Sequence, residues 1–139
     1  MRGTAICLEL ALPAVSASVR RARDAVGDAV AGLGGDQRLA DDVRLCVSEA
    51  VTNVVRHAYA GAPRGNTEIV VERDDDDLNV VVRDTGIGVA PARRSRSGGF
   101  GLKIIAKLTA RYSFTSTPSM GTEVRMVFRL GHGAPAGDR

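Results

Sequence analysis

The sequence is poor in three residue classes, and each shortage argues against a type of protein. Its 139 residues include two cysteines, which are too few for a disulfide framework and fit a reducing compartment. Aromatic residues make up 4% of the chain and tryptophan is absent, so side chains that could stack on nucleic-acid bases are scarce. No apolar run approaches the roughly 18 residues of a membrane-spanning helix.

The charge is nearly balanced. Nineteen basic and 16 acidic residues give a net charge of +3, which is too mild to indicate nucleic-acid binding by itself. Glu9 interrupts the apolar stretch that follows Arg2, which argues against a secretory signal. We therefore expect a cytoplasmic protein that contacts neither nucleic acid nor a membrane.

The composition of the chain is typical of one globular domain. Hydrophobic residues account for 44% and charged residues for 25%, and this length suffices to bury a core without a disulfide or a structural metal. We expect a single domain over residues 1–130, and a disordered tail over residues 131–139.

The first half of the chain predicts one strand and two helices. Residues 5–12 alternate between apolar and other residues, as in a half-buried strand, with Ile6, Leu8, Leu10 and Leu12 on one face. Apolar residues then recur at helical steps up to Gly32, and a second helix is predicted from about Asp36 to Tyr59.

The second half predicts mostly strands. Residues 67–73 and 78–84 flank four consecutive aspartates and indicate a hairpin. A loop over residues 86–99, a short helix over residues 100–110 and a last hairpin over residues 111–117 and 122–130 follow. This order favours an α+β fold: a two-layer sandwich with one mixed, mostly antiparallel sheet that three helices cover on one face.

Glu49 and Asn53 are the first of three polar features that the fold itself does not require. They are four residues apart on the second predicted helix and project from the same side, beside its apolar stripe. The pair is compatible with an ordinary solvated helix face. It also suits a hard cation, or a base next to a metal-bound phosphate.

The second feature is the end of the strand that contains Asp84. Period two places Asp84 on the same face as Val80 and Val82, so its carboxylate is buried and needs a hydrogen-bond donor. A backbone amide of the following turn or a ligand amino group would each serve. Gly86 and Gly88 either let the backbone approach a ligand or simply make the turn.

The third feature is a glycine-rich segment at the start of the short helix. Gly99 and Gly101 leave backbone amides free at the positive end of the helix dipole, where anions bind, and Arg96 lies just before them. On the last strand, Thr122 shares a face with apolar residues and directs its hydroxyl inward. A glycine-rich loop alone is often only flexible, but three polar features aimed at one gap between helices and sheet suggest a ligand site.

Taken in order, these motifs resemble those of a known ATPase superfamily. Glu49-x-x-x-Asn53, Asp84-x-Gly86-x-Gly88 and Gly99-x-Gly101 are similar to the N, G1 and G2 boxes of the Bergerat, or GHKL, fold of gyrase, Hsp90, histidine kinases and MutL. Within it, the segment Ser48-Glu49-Ala50-Val51-Thr52-Asn53, followed by His57-Ala58-Tyr59, most resembles the anti-sigma-factor serine kinases. The similarity spans roughly residues 5–130.

For the phosphate side of the site, the resemblance implies that Asn53 coordinates the Mg²⁺ of bound Mg-ATP. Glu49 would be the general base that takes the proton from a substrate serine hydroxyl. Backbone amides at Gly99 and Gly101 would hold the phosphates. On the side of the base, Asp84 would accept a hydrogen bond from the adenine amino group.

The remaining implied contacts surround the adenine. Gly86 and Gly88 would shape its pocket, and Thr122 would lie near it. Only nine residues separate Gly88 from Gly98, so the lid is short. A lid arginine, Arg96 or its neighbour Arg94, would contact the γ-phosphate.

The resemblance also implies partners and leaves one alternative. The expected protein is an anti-sigma factor that sequesters a sigma factor, phosphorylates a serine on an anti-anti-sigma (STAS) antagonist and forms a homodimer. The chain is too short to contain, in addition, the phosphorylated helical domain of a histidine kinase. His57 is interpreted as a structural hydrogen-bonding residue rather than a phosphoacceptor. The alternative is a non-catalytic module, with ATP as a structural ligand or with no ATP, that only sequesters a partner.

Overall fold

The computed structural model describes residues 4–59, 65–86, 101–117 and 121–131. The elements, in chain order, are β1 (Thr4–Pro13), α1 (Ala17–Gly32), α2 (Gln37–Asn53), a π-helical turn (Val54–Ala58), β2 (Asn66–Asp74), β3 (Asp77–Asp84), α3 (Gly101–Leu108), β4 (Arg111–Thr117) and β5 (Gly121–Arg129). The predicted order of strands and helices is confirmed.

The five strands form one sheet in the order β1-β2-β3-β5-β4, and all four pairings are antiparallel. The helices pack on one face of this sheet, where they share its core. The α+β sandwich is thus confirmed, with no parallel pair among the described strands. From the sheet, the buried core includes Leu12, Ile69, Val71, Leu78, Val80, Val82, Val124, Met126 and Phe128; from the helices it includes Ala22, Val26, Val30, Val43, Val47, Ala50, Val51 and Ile105.

Strand β1 differs from the prediction at one residue. A β-bulge falls between Ile6 and Leu8, because Ile6 is paired with Glu72 whereas Leu8 is paired with the adjacent Val71. The extra residue moves Ile6 to the face away from the helices, where 58% of it is exposed. The prediction that Ile6 shares a face with Leu8 was therefore wrong: period two fails across a bulge.

The second predicted helix also differs, at its C-terminal end. The helix begins directly after Asp36, close to the predicted start, and the Asp36 side chain caps it by accepting a hydrogen bond from the Leu39 amide at 2.9 Å. Regular α-helix ends at Asn53, and the next five residues form the π-helical turn, after which Tyr59 leaves the helix. Single π-helical turns are rare and are often found at functional sites.

The hairpin of β2 and β3 forms as predicted around the run of aspartates. Asp75 has a φ of 57°, in the left-handed region that aspartate tolerates in tight turns. The register pairs Thr67 with Asp84 and Asp74 with Asp77. This register brings the last residue of β3 to the same end of the sheet as the first residues of β2.

Two predictions fall largely outside the described residues. Of the predicted loop over residues 86–99, the structure describes Gly86 alone, and of the predicted tail it describes Gly131 alone. The tail, and with it the boundary at residue 130, stays a prediction. In the part of the chain that the structure describes, no helix has the length and apolar character needed to span a bilayer.

Candidate functional site

Asp84 is an acidic residue almost wholly enclosed at the end of a core strand. It is 2% exposed and continues the face of β3 that contributes Val80 and Val82 to the core. Its Oδ1 accepts a hydrogen bond from the Gly86 amide at 2.9 Å. The turn after β3 thus fixes the orientation of the carboxylate. The sequence allowed two donors, a backbone amide of this turn or a ligand amino group, and the Gly86 amide is the first of them.

Asp84 belongs to a row of polar side chains that crosses four strands. The register pairs it with Thr67 of β2 on one side and Thr122 of β5 on the other, and both threonines are buried. The Thr122 hydroxyl lies 3.2 Å from that of Ser116 on β4. We call Thr67, Asp84, Thr122 and Ser116 the polar row.

The polar row is unusual because it ends an otherwise apolar surface beneath the helices. Burying hydroxyls and a carboxylate costs free energy unless each finds hydrogen-bond partners. Thr67 Oγ1 donates a long hydrogen bond of 3.4 Å to the Arg83 carbonyl. A carboxylate between hydroxyls matches a flat ligand that carries both an amino donor and ring acceptors, as adenine does.

On the helix side, α2 contributes Glu49 and Asn53. Asn53 is 4% exposed, and Glu49, one turn earlier, is half-buried. Val47, Ala50 and Val51 fix this helix to the sheet through their buried side chains. The result is a carboxylate and a carboxamide held next to each other on a rigid element, partly shielded from water.

The two halves of the site meet at Gly86. A β-carbon on Gly86 would overlap with the carbonyl oxygen of Ala58, the last residue of the π-helical turn. The turn that orients Asp84 therefore rests directly on the end of the helix that carries Asn53. In this way the structure places the turn with Asp84 and Gly86 against the helical segment that also carries Asn53.

The glycine-rich segment is described only from Gly101, the first residue of α3. Gly88, Arg96 and Gly99 lie outside the described residues, so their predicted roles stay predictions. α3 packs against α2, and its Ile105 is buried in the core. Gly101 therefore begins a helix that is fixed against the helix bearing Glu49 and Asn53, with backbone amides of the first turn unpaired within the helix.

The donor set fits a magnesium nucleotide better than a metal ion alone. Among the residues the structure describes, no group of three or more His, Cys, Asp and Glu side chains is arranged to hold a metal. Mg²⁺ in nucleotide sites needs few protein ligands, because phosphate oxygens and water complete its shell. The side-chain oxygens of Asn53 and Glu49 are ligands of the kind that Mg²⁺ prefers.

Burial and charge keep a nearby thiol protonated. Burial, the largest cause, acts together with the carboxylates of Asp42 and Glu49 to raise the pKa of Cys46 from 9.0 to about 12. Cys46 therefore remains a neutral, apolar core residue at physiological pH, and a thiolate nucleophile on α2 is excluded.

Sequence reasoning missed three residues of this region. Thr67 belongs to the polar row because the β2–β3 register pairs it with Asp84. Its spacing of two residues from the apolar Ile69 could have predicted that both side chains face the core. Gly121 has a φ of 81°, and a β-carbon there would overlap with the Asp84 carbonyl oxygen. Tyr59 accepts a hydrogen bond from the Thr85 amide, a contact that no sequence periodicity reveals. His57 is half-buried on the π-helical turn, and its predicted structural role stays a prediction.

Comparisons with known proteins agree on one family. The sequence profile of the family described as histidine kinase-like ATPase domain matches residues 12–128. An anti-sigma F factor of Pasteuria penetrans is 30% identical over 135 residues, which cover 88% of this chain and 90% of that protein. An anti-sigma F factor of Bacillus subtilis is 28% identical over 134 residues, covering 88% of this chain and 92% of the relative.

Solved structures show the same fold at lower sequence identity. The RsbU and RsbW domains of a Mycobacterium tuberculosis protein superpose with a TM-score of 0.72 at 22% identity, covering 91% of this chain and 34% of that one. A histidine kinase domain from the blue-light activated histidine kinase of Erythrobacter litoralis superposes with a TM-score of 0.57 at 21% identity, covering 86% of this chain and 66% of that one.

Proposed function

The chain belongs to the histidine kinase-like ATPase family, and on that basis we propose that it is an anti-sigma factor with serine kinase activity. It binds Mg-ATP between α2 and the end of the sheet, sequesters a sigma factor and phosphorylates a serine on a STAS-type antagonist. The curated relatives named anti-sigma F factor, which this chain matches along most of their length, support the anti-sigma assignment.

One observation carries the nucleotide part of the proposal. Asp84 is buried in the polar row, and the turn after it rests on the end of the helix that holds Asn53. A fold that needed only a hydrophobic core would have no reason to bury an acid and two hydroxyls here. This arrangement supports a site for a ligand with a base at one end and anionic groups at the other.

Different residues contact the adenine and the phosphate ends of the nucleotide. Asp84 accepts a hydrogen bond from the adenine amino group, with Thr122 beside it, and Asn53 coordinates the metal ion at the phosphate end. When bound, Mg-ATP supplies the transferable phosphoryl group, with its charge partly neutralised by the metal. Gly86, Gly88, Gly99, Gly101 and Arg96 keep the pocket and phosphate roles that the family resemblance implies.

Glu49 completes the kinase proposal as the general base. It lies one helical turn from Asn53, so a serine hydroxyl presented at the phosphate end comes within reach of its carboxylate. Glu49 is half-buried, so its carboxylate is partly shielded from bulk water but still in contact with solvent. Glu49 would take the hydroxyl proton as the serine oxygen attacks the γ-phosphorus, while the bond from the γ-phosphorus to the bridging oxygen breaks and ADP leaves.

The sigma-factor proposal rests on the names of the relatives, and the other partner proposals rest on the family resemblance of the sequence motifs. We propose a sigma factor as the sequestered partner, a STAS protein as the phosphorylated one, a homodimer as the functional unit and the cytoplasm as the location. The short lid between Gly88 and Gly98 favours one rival, a module that only sequesters a partner. The two functions differ in whether phosphate is transferred.

Phosphate transfer is tested by incubating the protein with Mg²⁺, radiolabelled ATP and candidate STAS proteins. We expect label on a serine of one candidate, and Glu49→Gln to lower the rate by about a hundredfold or more, as loss of a general base does. Glu72→Gln is the matched control, since Glu72 is also half-buried but lies on the opposite face of the sheet. Bound ATP without transfer to any candidate would overturn the kinase and support the sequestering module.

A further inference from the structure

Tyr59 joins two neighbouring segments at the end of the sheet through a single oxygen atom. Its hydroxyl donates a hydrogen bond to the Asn66 carbonyl at 2.8 Å and accepts one from the Thr85 amide at 3.2 Å. The same oxygen lies 3.5 Å from Thr85 Oγ1. One side chain at the end of the π-helical turn thus binds both the start of β2 and the turn after β3.

Close packing fixes the ring of Tyr59 in this position. A β-carbon on Gly65 would lie 2.7 Å from the Tyr59 hydroxyl oxygen and 2.8 Å from its ring carbons, so only glycine fits there without movement. The Gly65 carbonyl accepts a hydrogen bond from the Ala14 amide at 2.9 Å, which fixes Gly65 to the end of β1. The hydroxyl therefore has little freedom to move away from Thr85.

The contact with Thr85 matters because of what flanks it. Thr85 lies between Asp84, whose carboxylate is buried in the polar row, and Gly86, whose amide donates to that carboxylate. The orientation of the carboxylate depends on the shape of this three-residue turn. Tyr59 holds the middle amide of the turn, and Gly86 packs on Ala58, the residue before Tyr59.

The other end of the same segment carries Asn53. Six residues lead from Asn53 through the π-helical turn to Tyr59, with Val54 and Ala58 buried on the way. A rigid link therefore runs from the helix proposed to hold the metal ion to the turn proposed to hold the base. Without the hydroxyl of Tyr59, the Ala58–Gly86 packing would remain but the Thr85 amide would lose its partner.

We propose that Tyr59 is a positioning residue that sets the preference of this site for adenine over guanine; the inference rests on the proposed nucleotide site. Adenine presents an amino donor at its 6-position, whereas guanine presents a carbonyl acceptor there, which an immobile carboxylate repels. A carboxylate on a loosened turn can rotate away from guanine and also binds adenine less well. The Tyr59 hydroxyl thus acts on selectivity through Asp84 and does not touch the base itself.

The test compares ATP, GTP and inorganic triphosphate binding, each with Mg²⁺, to the wild-type protein and to Tyr59→Phe by calorimetry. We expect the variant to bind ATP about fivefold more weakly, because the Asp84 carboxylate on the loosened turn makes a weaker hydrogen bond with the adenine amino group. We expect GTP binding unchanged or stronger, so that the ratio of ATP to GTP affinity falls, and triphosphate binding unchanged. Tyr112→Phe, at an exposed tyrosine of β4, is the control and should leave the ratio at its wild-type value.

The outcomes separate this inference from the proposed function. A wild-type protein that binds no adenine nucleotide overturns both. A wild-type protein that prefers ATP, with an unchanged ratio in Tyr59→Phe, overturns the role of Tyr59 alone. Equal weakening of ATP and triphosphate binding also overturns it, because that result indicates a general structural defect.

A second measurement does not depend on how well the variant folds. In the wild-type protein, the Thr85 amide should exchange with deuterium more slowly than an exposed turn amide, because it donates to Tyr59. Protection at Thr85 should increase on adding Mg-ATP as the turn is held from both sides. Rapid exchange of this amide in the nucleotide-bound protein would contradict the proposed link.

Discussion

Asp84 and Thr122 are directly opposite each other in the β3–β5 ladder, and their exposed fractions are 2% and 3%. The next residues on the same strand faces toward the middle of the sheet, Val82 and Val124, are buried and apolar. The sheet thus changes from apolar to polar within one step at the end that faces the π-helical turn. That change marks where the core ends and the site begins.

The contact between Gly86 and Ala58 predicts a specific cost for Gly86→Ala. The new methyl group would meet a backbone carbonyl, which cannot move aside as a flexible side chain can. We expect a loss of about 1–3 kcal/mol in the free energy of unfolding, measured by urea denaturation, together with weaker ATP binding.

Gly32→Ala is the matched control for that substitution. Gly32 is the last residue of α1, and a β-carbon there meets no atom within 4 Å. Alanine is also the better helix former, so we expect unchanged or slightly higher stability. Equal destabilisation by both substitutions would show that the Ala58 contact is not what makes Gly86 necessary.

Thr122→Val tests whether the polar row serves a ligand. Valine keeps the shape of threonine but removes the hydroxyl that lies near Ser116. We expect ATP affinity to fall about three- to tenfold, as for the loss of one hydrogen bond, with a change in melting temperature of only a few degrees. Thr4→Val, at an exposed threonine at the opposite end of the sheet, should change neither. Unaltered ATP affinity in Thr122→Val would remove Thr122 from the site.

The raised pKa of Cys46 predicts how stability changes in alkali. The unfolded thiol ionises near its ordinary pKa of 9.0, whereas the folded thiol stays neutral up to about pH 12. Between these values the unfolded state loses the proton first, so the contribution of Cys46 to stability is complete below pH 9 and declines above it. The slope approaches about 1.4 kcal/mol per pH unit.

Unfolding at a series of pH values measures this effect against Cys46→Ala, which lacks the titrating group. The stability of the wild-type protein should fall more steeply than that of Cys46→Ala above pH 9, while Cys7→Ala, at an exposed cysteine, should follow the wild type. Parallel curves for the wild type and Cys46→Ala would contradict the raised pKa.

Much of the fold and the placement of several site residues followed from the sequence because they depend on local periodicity. Alternation along β3 predicted that Asp84 lies on the buried face, and the same rule placed Thr122 inward on β5. The four consecutive aspartates marked the β2–β3 turn, since charged residues do not fit the buried strands on either side.

What the sequence could not show depends on contacts between distant segments. The bulge that exposes Ile6 and the π-helical turn after Asn53 leave no mark in the periodicity. Tyr59 appears in the sequence only as the end of a helix, and its contact with Thr85 requires the folded positions of α2 and β3. Thr67 could have been found once the hairpin register was assumed, because that register pairs it with Asp84.

The central claim, that Asp84 holds the base of a bound nucleotide, is tested most directly by thermal unfolding of the wild type and Asp84→Asn with and without Mg-ATP. Asparagine keeps the shape of the side chain. When its oxygen accepts the hydrogen bond from the Gly86 amide, its NH2 group takes the place of the second carboxylate oxygen and presents a donor to the adenine amino group instead of an acceptor. With ATP at ten times the wild-type Kd, the expected stabilisation is about 1.4 kcal/mol. If Asp84→Asn binds ATP 10- to 100-fold more weakly, the same ATP concentration stabilises it by at most about 0.4 kcal/mol. Asp74→Asn, at the exposed end of β2, should keep the wild-type shift in melting temperature; an equal shift in Asp84→Asn would contradict the account.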